Sequence, residues 1–160
     1  MGKHSVIKSR GKNGAPDGSQ CLTFTLNPED GDRDHRTDRA RNEIKIDKPK
    51  PMKNGETWSL DWYFYVNPDF VSISGFCHIH QIKAHYNGPV LDTGSPLITY
   101  SLANNKFNVD YLPPKGAKQT MKSLPQSAVL GKWIHAQEIL RASNQGFVQI
   151  RLTDMSTGIV

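Results

Sequence analysis

Hydrophobic and polar residues alternate with a period of two along much of the chain. The clearest run is 57–66, where large apolar side chains are separated by Thr57, Ser59, Asp61, Tyr63 and Tyr65. Such alternation is typical of a strand with one buried face and differs from the period of 3.6 that marks a helix. Shorter runs of this kind predict further strands at 22–26, 42–46, 76–83, 97–101, 106–111, 132–141 and 146–153.

Proline and glycine separate these runs and supply turns. Ser143-Asn144-Gln145-Gly146 has turn chemistry, so 132–141 and 146–153 are expected to form a hairpin. Pro113-Pro114 and Pro125 frame a segment expected to be a polar connector, and no window shows a convincing amphipathic helix. About eight strands at this spacing predict an all-β fold, an antiparallel β-sandwich or jelly roll. The length of 160 residues predicts a single domain, 1–160.

The two ends of the chain stand apart from this pattern. Residues 11–18 are rich in Gly, Lys and Asn, so 1–19 is expected to be partly flexible. The chain stops at Gly158-Ile159-Val160, in residues that look like the start of another strand. An apolar edge left unpaired is a liability for a sandwich, so the sequence is expected to be a fragment truncated at its C-terminus.

Composition and charge narrow the range of functions. No stretch approaches the roughly 20 apolar residues of a membrane span, and no apolar segment follows Met1 as in a signal peptide. The formal net charge of +5 at pH 7 attracts polyanions, although solubility alone also explains it. Acidic polysaccharide is the favoured partner, and nucleic acid is not expected because no recognised nucleic-acid-binding module is present. The two cysteines, Cys21 and Cys77, are expected to be buried thiols.

Charged residues are densest at 32–45, before and within the strand predicted around Ile44. If Ile44 faces the core, Arg41, Glu43 and Lys45 share the opposite face. An arginine braced by a glutamate two residues away can hold a carboxylate through two parallel hydrogen bonds. The alternative is a solvated loop of mutually neutralising charges.

Two histidines stand in the strand predicted at 76–83. Strict alternation places His78 and His80 on one face, and Gln81 and Lys83 on the other. Two histidines at this spacing can bind a metal ion, as in a cupin, although the glutamate that a cupin motif carries is missing. The alternatives are histidines in the core, or a ligand-binding face formed by Gln81 and Lys83.

The polar side of the strand predicted at 57–66 carries Asp61, Tyr63 and Tyr65. Aromatic rings beside hydrogen-bonding groups suit sugars, because sugar rings have apolar faces and polar edges. The simpler interpretation is the ordinary outer face of a sandwich. No serine-hydrolase elbow, P-loop or dinucleotide-binding motif is present, and no close run of carboxylates indicates a retaining glycosidase. For the sugar-binding interpretation of Asp61, Tyr63 and Tyr65, the candidate partners from other strands are Asn108 and Asp110, or Gln149 and Arg151.

Two of these motifs resemble a known enzyme family. Arg41-Asn42-Glu43-Ile44 resembles the Arg-x-Glu-Leu motif of jelly-roll polysaccharide lyases. His80-Gln81-Ile82-Lys83 resembles their Gln-Ile-His strand, with Lys83 where histidine usually stands. The order and spacing of 32–45, 58–66, 78–83 and the hairpin around Trp133 are similar to glucuronan lyases, and more distantly to alginate lyases. The resemblance covers about 20–155 and implies a secreted enzyme with a concanavalin A-like jelly roll.

The resemblance implies β-elimination on a uronic-acid polymer such as glucuronan or alginate. In such lyases arginine and glutamine neutralise the uronate carboxylate, while histidine and tyrosine transfer protons. Carried over by position, Arg41 and Gln81 are the carboxylate neutralisers, and Glu43 orients Arg41. The candidates for proton transfer are His35, His80 and Lys83, and further substrate contacts are expected from Lys45, Tyr63, Tyr65 and Arg151.

One part of the family pattern is missing. The lyases have a later strand with a Tyr-x-Lys-x-Gly-x-Tyr-like pattern that supplies a catalytic tyrosine, and this chain ends before it. The first alternative is therefore a non-catalytic glycan-binding sandwich module, and the second is the metal site at His78 and His80. The resemblance implies a monomer that acts on an anionic polysaccharide away from membranes. The resemblance implies that no cofactor is required and is compatible with a structural calcium ion.

Overall fold

The structure is a computed structural model and describes residues 6–9, 14–18, 20–25, 44, 52–83, 95–113 and 116–158. The chain divides into two compact units, Met1–Pro51 and Met52–Val160. In the first unit, β1 (Val6–Ser9) and β2 (Cys21–Phe24) form an antiparallel pair. The strand predicted at 42–46 lies outside the described residues except for one position. The flexibility of 1–19 and the single domain stay predictions.

The second unit is a β-sandwich of two antiparallel sheets, which confirms the predicted all-β fold. Its strands are β3 (Thr57–Tyr65), β4 (Cys77–Ile82), β5 (Ile98–Ala103), β6 (Lys106–Tyr111), β7 (Gln119–Pro125), β8 (Trp133–Arg141) and β9 (Phe147–Asp154). One sheet has the order β3-β8-β9 and the other β4-β5-β6-β7. A short 3-10 helix at Gln126–Ala128 follows β7, and none of the described residues forms an α-helix. No helix in this part of the chain is long and apolar enough to cross a membrane.

Most strands of the sandwich agree with the alternation in the sequence, and β7 is the exception. The bounds of β3, β4, β5, β6, β8 and β9 lie within two residues of the predicted ones. The sequence predicts a polar connector where β7 is found. This strand is at the edge of its sheet and is mostly exposed, and only Leu124 packs against the core. Its sequence therefore lacks the apolar alternation of a half-buried strand.

The core lies between the two sheets and is rich in aromatic rings. On β5, Tyr100 and Leu102 are fully buried. From β3, Phe64 reaches Phe107 of the other sheet with ring centroids 6.0 Å apart, and Trp62 reaches Tyr100 at 5.7 Å. Each fully buried large apolar side chain stabilises the fold by roughly 1.5–3 kcal/mol. Because these contacts join residues of different sheets, they hold the two layers together.

The hairpin between β5 and β6 is a tight turn formed by Asn104 and Asn105. Their φ angles of 49° and 59° lie in the left-handed region, which asparagine tolerates better than most residues. The turn also fixes the segment that precedes β4. The backbone N–H of Asn104 donates to Ile73 O at 3.1 Å, and that of Asn105 donates to Ser72 Oγ at 2.8 Å.

The turn between β8 and β9 accepts only glycine at Gly146. A Cβ added there would overlap the carbonyl oxygen of Arg141 and lie 2.8 Å from that of Ser143. Both neighbours are backbone atoms and cannot rotate away. Gly146→Ala is therefore expected to lower the free energy of unfolding by about 1–3 kcal/mol, as measured by urea denaturation.

Gly75→Ala is the matched control for this substitution. A Cβ at Gly75 would meet only the side chain of Ile73, at an ordinary contact distance of 3.5 Å. This variant is expected to change the free energy of unfolding by less than about 1 kcal/mol. Equal losses in the two variants would contradict the steric explanation.

Candidate functional site

A β-bulge in β4 decides which histidine faces outward. His78 pairs with Ser101, whereas His80 pairs with Tyr100, the adjacent residue of β5. Ile79 is therefore the extra residue of a bulge, and His78 and His80 point to opposite faces of the sheet. The prediction that they share a face is wrong, because it continues the alternation through a residue that interrupts it.

The face of the four-stranded sheet that points away from the core carries polar residues, of which Thr99, Ser101 and Asp110 are buried. Gln81 pairs with Thr99, two residues from Ser101 on β5, so His78 and Gln81 share this face about 7 Å apart along the strand. Gln81 is exposed. We call this surface the polar face, and its members are His78, Gln81, Thr99, Ser101, Asn108, Asp110 and Thr120.

Two neighbours hold His78 in place on the polar face. Its Nδ1 lies 2.7 Å from Ser101 Oγ, a hydrogen-bond distance. The exposed ring of Phe76 stacks on the imidazole with centroids 4.3 Å apart. Ser101 is only 4% exposed, so its hydroxyl is a fixed partner. When Nδ1 donates to this hydroxyl, Nε2 of His78 carries the basic lone pair.

Asp110 gives the polar face a buried negative charge. Its carboxylate accepts hydrogen bonds from Thr120 Oγ1 at 2.7 Å and from Lys118 Nζ at 3.2 Å. Partial burial lowers the pKa of His78 below 6.5, and the charge of Asp110 opposes this shift. At neutral pH, His78 is therefore mostly an uncharged imidazole that can accept a proton.

His80 points into the sandwich, where it meets the buried carboxylate of Glu138. Oε1 of Glu138 accepts a hydrogen bond from Trp62 Nε1 at 3.0 Å, and His80 Nε2 lies 3.3 Å from the same oxygen. Burial alone raises the pKa of Glu138, but the interactions with His80 and Trp62 outweigh it and bring that pKa below 4.5. His80 is thus on the opposite side of β4 from Gln81.

The two histidines of β4 do not form a joint metal site. Because they face opposite sides of the sheet, His78 and His80 cannot bind one ion together. Within the described ranges, no three His, Cys, Asp or Glu side chains cluster in a way that could hold a metal. Cys77 packs against the core as a half-buried thiol, and burial raises its pKa, which disfavours the thiolate that binds metals.

Of the other predicted catalytic residues, Lys83 lies within the described part of the chain, and His35 and Arg41 lie outside it. Lys83 directly follows β4 and is exposed. Apart from Ile44, the dense charged segment at 32–45 lies outside the described residues, and with it the predicted site residues His35, Arg41, Glu43 and Lys45.

The predicted sugar-binding residues lie on the outward face of the three-stranded sheet. Across β3 and β8, Tyr63 pairs with His135 and Tyr65 with Trp133, and Arg151 follows on β9. Of the two predicted sets of partners, the pair on β9 lies on this face, whereas the pair on β6 belongs to the polar face. We call this surface the tyrosine face, and its members are Asp61, Tyr63, Tyr65, Trp133, His135, Gln137, Gln149 and Arg151.

Asp61 is the centre of a hydrogen-bond network on the tyrosine face. His135 Nε2 donates to Asp61 Oδ1 at 2.7 Å, and Gln137 Nε2 donates to Oδ2 at 3.1 Å. The ring of Tyr63 stacks on His135, with centroids 4.4 Å apart and an interplanar angle of 14°. The side chain of Asp61 is still 60% exposed, so a ligand can reach its oxygen atoms.

The two hydrogen bonds hold the pKa of Asp61 below its ordinary 3.8, with the bond from His135 as the larger cause. His135→Ala is therefore expected to raise the pKa of Asp61 toward 3.8, as measured by NMR titration of its carboxyl carbon. Gln145→Ala, in the exposed turn after β8, is expected to leave this pKa unchanged. The same pKa for Asp61 with and without His135 would show that the network does not form.

The buried position of Glu138 can be recognised in the sequence, whereas the outward position of His78 cannot. Glu138 is detectable, because in β8 it occupies an inward position between Ala136 and Leu140 where an apolar residue is expected. The outward placement of His78 has no such signal, since a bulge leaves the composition of a strand unchanged.

In comparisons with protein families, curated proteins and solved structures, none matches this chain. The residues of the polar face and the tyrosine face are therefore the basis for a functional proposal.

Proposed function

We propose that the protein cleaves a uronic-acid polymer of the glucuronan or alginate type by β-elimination at the polar face. The observation that carries this proposal is the placement of His78 and Gln81 on one outward face. An uncharged imidazole and a carboxamide supply two functions that elimination requires, a proton acceptor and a donor to the carboxylate. The resemblance of 41–44 and 80–83 to lyase motifs supports the same chemistry, and secretion of the enzyme is part of the proposal.

The reaction begins with removal of the proton on C5, next to the uronate carboxylate. In the proposal, His78 Nε2 accepts this proton while Ser101 and Phe76 hold the ring in position. The amide N–H of Gln81 donates to a carboxylate oxygen and stabilises the negative charge that develops as the C5–H bond breaks.

The second half of the reaction releases the leaving sugar. The electron pair from C5 forms the C4=C5 double bond, the C4–O4 bond breaks, and O4 takes a proton from a general acid. By the resemblance, Lys83 is the candidate for this acid within the same unit. His80 is no longer one, because it faces Glu138 inside the sandwich.

Electrostatics favours an anionic polymer over a neutral one. The chain carries a formal net charge of +5, which raises the local concentration of a polyanion. Lys118 stands at the edge of the polar face, where its ammonium group is bound to Asp110 and its side chain is still 56% exposed.

The test follows the ultraviolet absorbance of the conjugated double bond that elimination creates and hydrolysis does not. The purified chain is mixed separately with glucuronan, with alginate and with amylose, which has no uronate group. The expected result is a rising absorbance with at least one uronate polymer and none with amylose. A flat trace with both uronates would reject the lyase proposal, and a binding titration would then test for a non-catalytic glycan-binding module.

A further inference from the structure

The tyrosine face is not used by the proposed elimination, because it lies on the outer side of the other sheet. We propose that it is a second binding site, for an extended and neutral polysaccharide chain of β-1,4-linked hexoses. The site is independent of the lyase reaction, since it shares no residue with the polar face.

Aromatic pairs supply the apolar part of this site. Tyr63 stacks on His135, and the rings of Tyr65 and Trp133 lie 5.5 Å apart with planes 47° from parallel. All four rings are only partly buried. The two pairs follow each other along β3 about 7 Å apart. In the stacked pair, Tyr63 and His135 cover one face of each other, so a sugar would contact their remaining faces and ring edges.

The Asp61 network supplies the polar part of the site. His135 and Gln137 fix both oxygens of the carboxylate, so Asp61 is pre-oriented before a ligand arrives. An exposed carboxylate held in this way accepts hydrogen bonds from sugar hydroxyls at little cost in conformational entropy. An open depression of about 520 Å³ lies beside Asp61, Gln137 and Arg151, next to the aromatic pairs but not lined by them.

The charges of the tyrosine face favour a neutral ligand. Asp61 and Arg151 carry opposite formal charges, and the amides of Gln137 and Gln149 both donate and accept hydrogen bonds. A uronate would place a carboxylate near the exposed Asp61, which is unfavourable. Hydroxyl groups match this mixture of donors and acceptors without repulsion.

The shape of the surface favours an extended chain over a coiled one. The site follows neighbouring strands of a single sheet, and its rings line up along the pairing of β3 with β8. A chain of β-1,4-linked hexoses is extended, so several of its rings can lie along such a row at once. A coiled chain such as amylose would contact the row through fewer sugars.

Binding of cellohexaose to the full chain tests the proposal, measured by isothermal titration calorimetry and by tryptophan fluorescence. Saturable binding is expected, with quenching from Trp133, and maltohexaose is expected to bind more weakly. Tyr65→Ala is expected to weaken binding of cellohexaose about tenfold, whereas Tyr65→Phe keeps the ring and is expected to stay within about threefold of the wild type. Arg151→Ala changes an exposed position and is expected to weaken binding about threefold without affecting the fold.

Phe76→Ala is the matched control, because it removes an exposed aromatic ring from the other sheet. Binding of cellohexaose should be unchanged in this variant and should not be displaced by glucuronan oligosaccharides. No binding in the wild type, or binding that Tyr65→Ala and Arg151→Ala leave intact, would overturn the proposal. A failed absorbance assay for elimination would not change these results, so the two proposals can fail separately.

Discussion

His78→Asn is expected to slow elimination on the preferred uronate about 100- to 10,000-fold, the usual effect of losing a general base. Asparagine keeps a polar group near Ser101 but cannot accept the C5 proton. Because His78 lies on the outward face, the substitution removes a base without opening the core. The measurement is the initial rate of ultraviolet absorbance, with circular dichroism as the check on folding.

Gln81→Ala is expected to act at the same step, through the charge that develops on the uronate carboxylate. Loss of one such donor typically costs about 100- to 1000-fold in rate. Gln145→Ala removes an equivalent side chain from the exposed turn between β8 and β9 and is expected to keep full activity. If the His78 and Gln81 variants both kept most of the wild-type rate, the polar face would not be the site of elimination.

The pH profile provides a separate readout for His78. The base acts in its uncharged form, so the rate should fall as the pH drops through the pKa of His78, at a midpoint below 6.5. The charge of Asp110 raises this pKa, so Asp110→Asn should move the midpoint to still lower pH. A midpoint that Asp110→Asn does not move would show that another group is the base.

Glu138→Ala is expected to have the largest effect on stability, a loss of about 3–5 kcal/mol. Glu138 is 1% exposed, and its removal would leave Trp62 Nε1 without its acceptor and His80 without its partner. A folded domain is stable by only about 5–15 kcal/mol in total, so this loss is a large fraction of it. The measurement is urea denaturation at pH 7.

Two further substitutions separate the causes of this loss. Glu138→Gln keeps an oxygen acceptor for Trp62 and is expected to cost less than Glu138→Ala. Glu56→Ala removes an exposed glutamate that accepts hydrogen bonds from Lys53 N and Trp58 Nε1, and it is expected to cost less than about 1 kcal/mol. Similar values for Glu56→Ala and Glu138→Ala would show that the buried network contributes little.

The pKa of Glu138 also predicts how stability depends on pH. Its pKa is lowered below 4.5 in the folded state. The stabilisation from ionised Glu138 is therefore complete above the unfolded-state pKa and is lost as the pH falls through the folded-state pKa. As the pH falls below about 5, the wild type should lose more stability than Glu138→Gln, in which position 138 does not titrate.

The strands of the sandwich could be predicted because one face of each packs against a common core. The alternation in 57–66 identifies β3 and assigns Tyr63 and Tyr65 to its outward side, where the structure places them. The same rule fails for β7, since an edge strand with two exposed faces has no apolar face to alternate with. The hydrophobic pattern indicates that one face of a strand is buried, and it does not indicate a strand that has no buried face.

The site was less predictable because its key features depend on register. The bulge at Ile79 reverses the assignment of His78, although the residues around it read as one regular strand. The partners of Gln81 and Asp61 come from strands distant in the sequence, and only the pairing between strands brings them together. The sequence indicates the residue types of the site. It does not indicate which face of the sheet each residue occupies, because one register shift reverses that assignment.

The extra residue in β4 has a consequence for how this surface can evolve. Because Ile79 is an extra residue, the side chains before it do not continue the in-out alternation of those after it. Deleting that one residue would restore regular alternation without changing a single pair, because His78 already pairs with Ser101 and His80 with Tyr100. His78 would stay outward and Cys77 inward, while Gln81 would stay in place. A one-residue deletion, which turns the side chains of a regular strand to the opposite faces, would therefore leave both surfaces of this strand unchanged.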